Sequence, residues 1–207
     1  MLDLSTMIYR IPALLFAITV HEYAHAQCAD SLGDKTPRYM GRLTLNPLAH
    51  LDPVGAILLV VAGFGWAKPV QVNSRYFSDR KSGMMKVALA GPAANLVLCF
   101  LAALFAAVME RFGILSHSVS NLLLWMQLYN VWFAFFNLIP VPPLDGSRLL
   151  TELLPSDLAW KYGQTVDRYG FFILIALVFT GVTGAIISPL ASGYLSLVNS
   201  IISGILF

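Results

Sequence analysis

Four stretches of this sequence are apolar for about as long as a bilayer core is thick, and no other feature limits the fold so strongly. A spanning helix needs about 20 mostly apolar residues, with a working range of roughly 17–25. The runs Met7–Ala29, Val87–Met109, Val119–Ile139 and Gly170–Ser188 qualify. The tail Leu190–Phe207 is apolar but rich in Ser and Gly, and fits either a span or an interfacial helix. Backbone polar groups in lipid must be satisfied within the segment, which favours helices. The expected fold is therefore all-α: a polytopic membrane protein built as a helical bundle, in a single integral membrane domain over residues 1–207. Composition agrees, with 57% hydrophobic and only 12% charged residues, against about 25% charged in soluble domains. The lipid bilayer is the first expected partner. A net charge of +2 gives no argument for nucleic acid. Cys28 and Cys99 both lie in apolar runs, so they suggest no disulfide framework. The N-terminus lacks a basic leader, and its first apolar run carries ionisable residues, so Met1 is expected to begin the mature protein.

The run Pro53–Trp66 is apolar but only fourteen residues long. That length suits a re-entrant segment better than a span. After it, Val70 and Val72 alternate with Gln71 and Asn73, the period of a short strand. Pro69 would keep such a strand, over Lys68–Asn73, at an edge. A short membrane-associated β-strand or hairpin is thus expected beside the helices. Eight of the thirteen Lys and Arg residues fall between residues 30 and 86. The positive-inside rule puts that stretch in the cytoplasm. It also favours Pro53–Trp66 entering the membrane without crossing. The expected location is a cell membrane, with multiple passes.

The first run is interrupted by His21-Glu22-Tyr23-Ala24-His25, which is H-E-x-x-H. On a helix, residues i and i+4 share one face. Two imidazoles so placed can reach one Zn²⁺, while the intervening glutamate stands ready to take a proton from water. Ionisable residues within a spanning helix are expensive and usually functional. His21 and His25 are thus candidate metal ligands and Glu22 a candidate catalytic base.

A catalytic zinc usually has a third protein ligand. Cys28, His50, Asp52, Asp145, Glu152 and His117 are the candidates. Cys28 lies on the same straight helix as the histidines, where three ligands have difficulty surrounding an ion. Asp145 has the best setting. It follows Pro140, Pro142 and Pro143, which cannot continue the preceding helix. Unwound backbone at membrane depth is tolerated only where it is buried in protein or lines a wet cavity. With Pro53–Trp66 re-entrant, His25 and Asp145 reach the same cytoplasmic side. A turn residue opening the helix at Ser147–Leu154 is the alternative for Asp145. His50 and Asp52 read by default as a lock on the loop between Pro47 and Pro53, with a second metal site or support of the first as alternatives. His117 is expected to be solvated in an outer loop.

H-E-x-x-H in a first span, followed by Asn137-x-x-Pro140-x-Pro142-x-x-Asp145-Gly146 after a later one, resembles the site-2 protease family of intramembrane zinc metalloproteases. The resemblance extends to "GPAAN" (Gly91–Asn95), "NPLAHLDPVG" (Asn46–Gly55) and "GWAKPVQVN" (Gly65–Asn73). It takes in most of residues 15–150. No stretch is long enough for the PDZ or CBS domain that some members carry, so the compact form is expected. The resemblance implies one Zn²⁺ per chain held by His21, His25 and Asp145, with Glu22 as base. It also implies that Asn137 lies in the site, where its amide would polarise the scissile carbonyl or hold substrate backbone; capping of the unwound turn is the alternative. Gly91 and Asn95, at i and i+4, are expected to pack closely, with a hydrogen bond from Asn95 near the site. The implied activity is hydrolysis of a peptide bond within or near the transmembrane segment of a membrane-anchored protein substrate. A homo-oligomer is compatible with this reading. A metal-ion transporter and an inactive homologue that binds transmembrane partners are the rival readings.

Overall fold

The computed structural model describes residues 4–53, 55 and 67–206. Most of the expected re-entrant run Pro53–Trp66 lies outside the described residues. The elements, in chain order, are α1 (Leu4–Ser31), the single turn α2 (Thr36–Tyr39), α3 (Arg80–Arg111), α4 (His117–Asn137), α5 (Asp145–Leu153), α6 (Ser156–Phe179) and α7 (Val182–Leu206). Of these, α3 and α7 are long and apolar enough to cross a membrane, with mean hydropathy of 2.2 and 1.5 over their most apolar stretches.

Local chemistry sets the boundaries. The carboxylate of Asp79 caps α3 by accepting from the Ser82 N–H at 3.1 Å, and the Ser116 hydroxyl caps α4 from Val119 at 3.3 Å. These side chains satisfy amides that the first helical turn leaves without partners. The run 170–188 does not form one helix. It is divided by a turn at Thr180–Gly181, so that α6 ends at Phe179 and α7 takes in the tail.

Helices α1, α3 and α4 form the heart of the bundle. Tyr9 meets Ser118 near the starts of α1 and α4, and His21 meets Phe133 further along both, so these two run in the same direction. Ala17 bonds to Asn95 and His25 to Val87, so α3 runs the opposite way. An apolar cluster of Cys99, Val131, Ile139, Leu144, Leu174, Ile187 and Ala191 joins α3 and α4 to α6 and α7. The C-terminal ends of α1 and α4, the N-terminal end of α3, and α5 therefore share one end of the bundle. Among the described residues, Lys35 and Arg38 beyond α1 and Arg80, Lys81 and Lys86 at the start of α3 lie at that end.

At that end, Asp30 holds Arg38 at 2.8–2.9 Å and Lys35 at 3.0 Å. The Arg38 guanidinium, and after it the Lys35 ammonium, pull the Asp30 carboxyl down to about 2. Asp34, fully buried, accepts from the N–H groups of Thr36 and Asn73 at 2.9 and 2.7 Å. Among the described residues the expected strand does not form; the pairing present is one antiparallel bridge, Leu51–Ala67. The segment 68–73 is held instead by carboxylates on other elements. The Asn73 N–H donates to Asp34, and the Val70 N–H donates to Glu22 at 3.1 Å.

Candidate metal centre

His21 and His25 stand one turn apart on α1, their rings edge to face with centroids 4.6 Å apart. Asp145 reaches them from the first turn of α5. It gets there because the chain unwinds after Asn137 through Pro140, Pro142 and Pro143, and because Gly146 lies flat against the carbonyls of Leu138 and Ile139. A Cβ at residue 146 would overlap those backbone atoms. The Nε2 atoms of the two histidines are 3.0 Å apart, and each is 3.1 Å from Oδ2 of Asp145. Among the described residues these three form a group of donors able to hold a metal ion.

The outer ring nitrogens decide what the inner ones can do. Nδ1 of His25 lies 2.7 Å from the Val87 carbonyl, which can only accept. Nδ1 of His21 lies 2.6 Å from Oδ1 of Asn95. Each Nδ1 therefore carries its proton and donates outward. In a neutral imidazole that leaves an Nε2 lone pair facing inward. Two such lone pairs and a carboxylate oxygen converge on one point with no donor among them, an arrangement that calls for a cation. Ligands at about 2.0–2.1 Å from a tetrahedral zinc stand about 3.3 Å apart, and the observed triangle is only slightly tighter. Gly91 supplies the clearance. A Cβ there would stand 2.6 and 2.7 Å from Cε1 and Nε2 of His21, and closer still to Nε2 of His25. The donor set fits zinc.

Comparison with known proteins shows the family. The pattern of peptidase family M50 matches residues 107–180. YwhC of Bacillus subtilis (strain 168), assigned by name as a zinc metalloprotease, is 40% identical over 193 residues, covering 90% of this chain and 87% of its own. The chain belongs to peptidase family M50. Rip2 of Mycolicibacterium smegmatis, likewise assigned by name as a zinc metalloprotease, is 31% identical over 82% of this chain and 66% of its own. The archaeal zinc metalloprotease MJ0392 of Methanocaldococcus jannaschii is 24% identical over 72% of this chain and 34% of its own. No solved structure matches.

In this M50 chain, His21, Glu22, His25, Asn137 and Asp145 all line one cavity of about 70 Å³, together with Pro69, Val70, Val72, Val87, Pro143 and Arg148. Glu22 is 8% exposed, and its Oε2 accepts from the Val70 N–H. Asn137 donates through Nδ2 to the Phe133 carbonyl one turn back, at 2.9 Å, so one of its two N–H groups is engaged within its own helix.

Other candidates sit elsewhere. Cys28 packs against the apolar cluster of Ala29, Phe77 and Val87. His50 is fully buried in the loop. Its Nε2 donates to the Thr44 carbonyl at 2.8 Å and its backbone carbonyl accepts from Lys68 at 2.9 Å, while Arg42 donates to the Ala49 carbonyl. Asp52 accepts from the Gly55 N–H at 2.9 Å. These bonds match the loop lock. His117 is exposed and bonds to Asn121.

Two residues of the site were not readable from sequence. Arg148, exposed on α5 one turn past Asp145, reaches the cavity mouth. Asn130 on α4 touches Asn95 behind His21. It belongs to no motif, and its only sequence signal is a polar residue in an apolar run.

Proposed function

We propose that this chain is a zinc-dependent peptidase that cleaves membrane-anchored protein substrates at a peptide bond within or beside their transmembrane segment. The observation that carries the reading is the convergence of two imidazole lone pairs and a carboxylate oxygen beside a buried glutamate. His21, His25 and Asp145 would hold the ion. Bound there, zinc supplies a Lewis acid that polarises a peptide carbonyl and brings the pKa of water towards about 7.

Glu22 lines the same cavity and is not among the three donors that converge. Its carboxylate takes the proton of the attacking water and passes it to the leaving amine. Asn137 has a second Nδ2 hydrogen with which to hold a substrate carbonyl while the first anchors the amide to Phe133. Val70, Val72, Val87 and Pro143 line a polar chamber with room for a few waters.

A helical substrate hides its carbonyls in its own hydrogen bonds, so it has to unwind locally before attack. The site lies at the end of the bundle that carries the basic stretch, which supports a cytoplasmic-side active centre in a multi-pass cell-membrane protein.

The test is Glu22→Gln in purified protein with a reporter transmembrane substrate. The variant should keep its zinc, because the glutamine oxygen can still accept from Val70, and should lose at least about 100-fold in cleavage rate, in line with loss of a general base. Zinc-dependent cleavage at the wild-type rate by this variant would remove Glu22 from the mechanism.

A further inference from the structure

We propose that Asn130 is a positioning residue which, acting through Asn95, commits His21 to present Nε2 to the metal. The inference rests on reading His21 as a zinc ligand and adds how the chain enforces that choice.

The argument runs through a single line of hydrogen bonds. Nδ2 of Asn130 donates to the Met126 carbonyl at 2.7 Å, so Oδ1 of Asn130 faces away from that carbonyl. Nδ2 of Asn95 donates to that oxygen at 2.7 Å and to the Ala17 carbonyl at 3.0 Å, which occupies both of its hydrogens. Oδ1 of Asn95 is therefore turned towards Nδ1 of His21, at 2.6 Å. Asn95 and Asn130 are both fully buried, so water cannot replace a lost partner.

An amide can be reversed by rotation about its last side-chain bond, and reversal is the hazard here. A reversed Asn95 would aim N–H groups at Nδ1 of His21. The ring proton would then move to Nε2, where it blocks a metal. Reversal would also set the Asn95 oxygen against two other oxygens, those of Ala17 and Asn130. Asn130 cannot relieve this by rotating, because its own oxygen would then meet the Met126 carbonyl. The backbone of α4 thus fixes the tautomer of a histidine on α1, and α3 carries the connection between them. Outer partners of metal-ligating histidines fix ring orientation and tautomer in this way, and their loss costs about 10–100-fold in metal affinity.

The experiment measures zinc affinity by competition with a chromophoric chelator, together with solvent exchange of the His21 Nδ1–H proton in zinc-loaded protein. Asn130→Leu should bind zinc about tenfold more weakly, at the low end of that range because Asn130 acts at one remove. Its Nδ1–H should exchange faster than in wild type. Asn130→Asp, kept neutral by burial, can donate its O–H to the Met126 carbonyl while its other oxygen accepts from Asn95, and should recover most of the affinity. Val131→Ala, a cavity in the same helix away from the relay, should change neither readout. Should Asn130→Leu not assemble, Asn130→Ala removes the same acceptor. Wild-type affinity and exchange in either variant would overturn the proposal, as would an equal effect from Val131→Ala. His21→Ala separates the two levels. If it leaves zinc affinity unchanged, the ligand assignment fails and the relay falls with it. If it lowers affinity while the Asn130 variants do not, the relay alone fails.

Discussion

Replacing Gly91 by alanine should weaken metal binding about 100-fold while leaving the fold nearly as stable as before. The added Cβ would lie 2.6 and 2.7 Å from two atoms of the His21 ring and nearer still to Nε2 of His25. Ordinary contact between such atoms is about 3.5–4.0 Å, so the rings must retreat by about 1 Å. That displacement is half the length of a zinc–nitrogen bond of about 2.0–2.1 Å, and it also pulls Nδ1 away from Asn95 and Val87. A loss of about 100-fold in zinc affinity is expected, the upper end of what disturbed outer partners cost. Two opposing effects act on stability. Overpacking a buried site costs about 1–3 kcal/mol. Alanine in place of glycine within a helix returns about 1 kcal/mol. The metal-free variant should therefore lie within about 2 kcal/mol of metal-free wild type. The assay is thermal unfolding in detergent with and without zinc, alongside zinc per chain after dialysis. At a free concentration of 100 times the wild-type Kd, zinc should stabilise the wild type by about 2.7 kcal/mol and the variant by only about 0.4 kcal/mol. A Gly91→Ala protein that holds stoichiometric zinc and shows the same zinc-dependent shift would refute the geometry.

Two further outcomes are expected. Asp145→Ala should lower bound zinc per chain, measured by elemental analysis; unchanged content would return the third ligand to Cys28 or Asp52. Asp30 lies one residue beyond the expected first span, and its folded value of about 2 is below the roughly 3.9 of an unfolded aspartate. Its contribution to stability is thus present above about pH 4 and is lost as pH falls towards 2. Asp30→Asn should melt below wild type at neutral pH, and the gap should narrow below about pH 4. A gap that stays constant down to pH 3 would mean that the Arg38 and Lys35 contacts do not stabilise the fold.

The two halves of the site were unequally legible. H-E-x-x-H lies in five consecutive residues, so the helical period alone predicts that His21 and His25 share a face. Asp145 is some 120 residues away, and the residues themselves offered only a proline-broken chain; the family resemblance supplied the rest. Asn95 was marked by a motif, but the direction of its bond to His21 was not, because orientation is set by Ala17 and Asn130 on other helices. Asn130 shares its apolar run with Asn121 and Gln127, and nothing local separates it from them. The alternation at 70–73 reads as a strand, and none forms there. Periodicity cannot say that the partners of that backbone are carboxylates 48 and 39 positions away rather than a neighbouring strand. The division of residues 170–188 at Gly181 was likewise hidden within an unbroken hydropathic stretch.

The Val70 N–H donates to Oε2 of Glu22, and Val70 lines the same cavity as His21, His25 and Asp145. A single loop residue therefore both shapes the wall of that cavity and orients a carboxylate on α1 through one of its two oxygens. A change that shifts the segment 68–73 would disturb the glutamate and the cavity together.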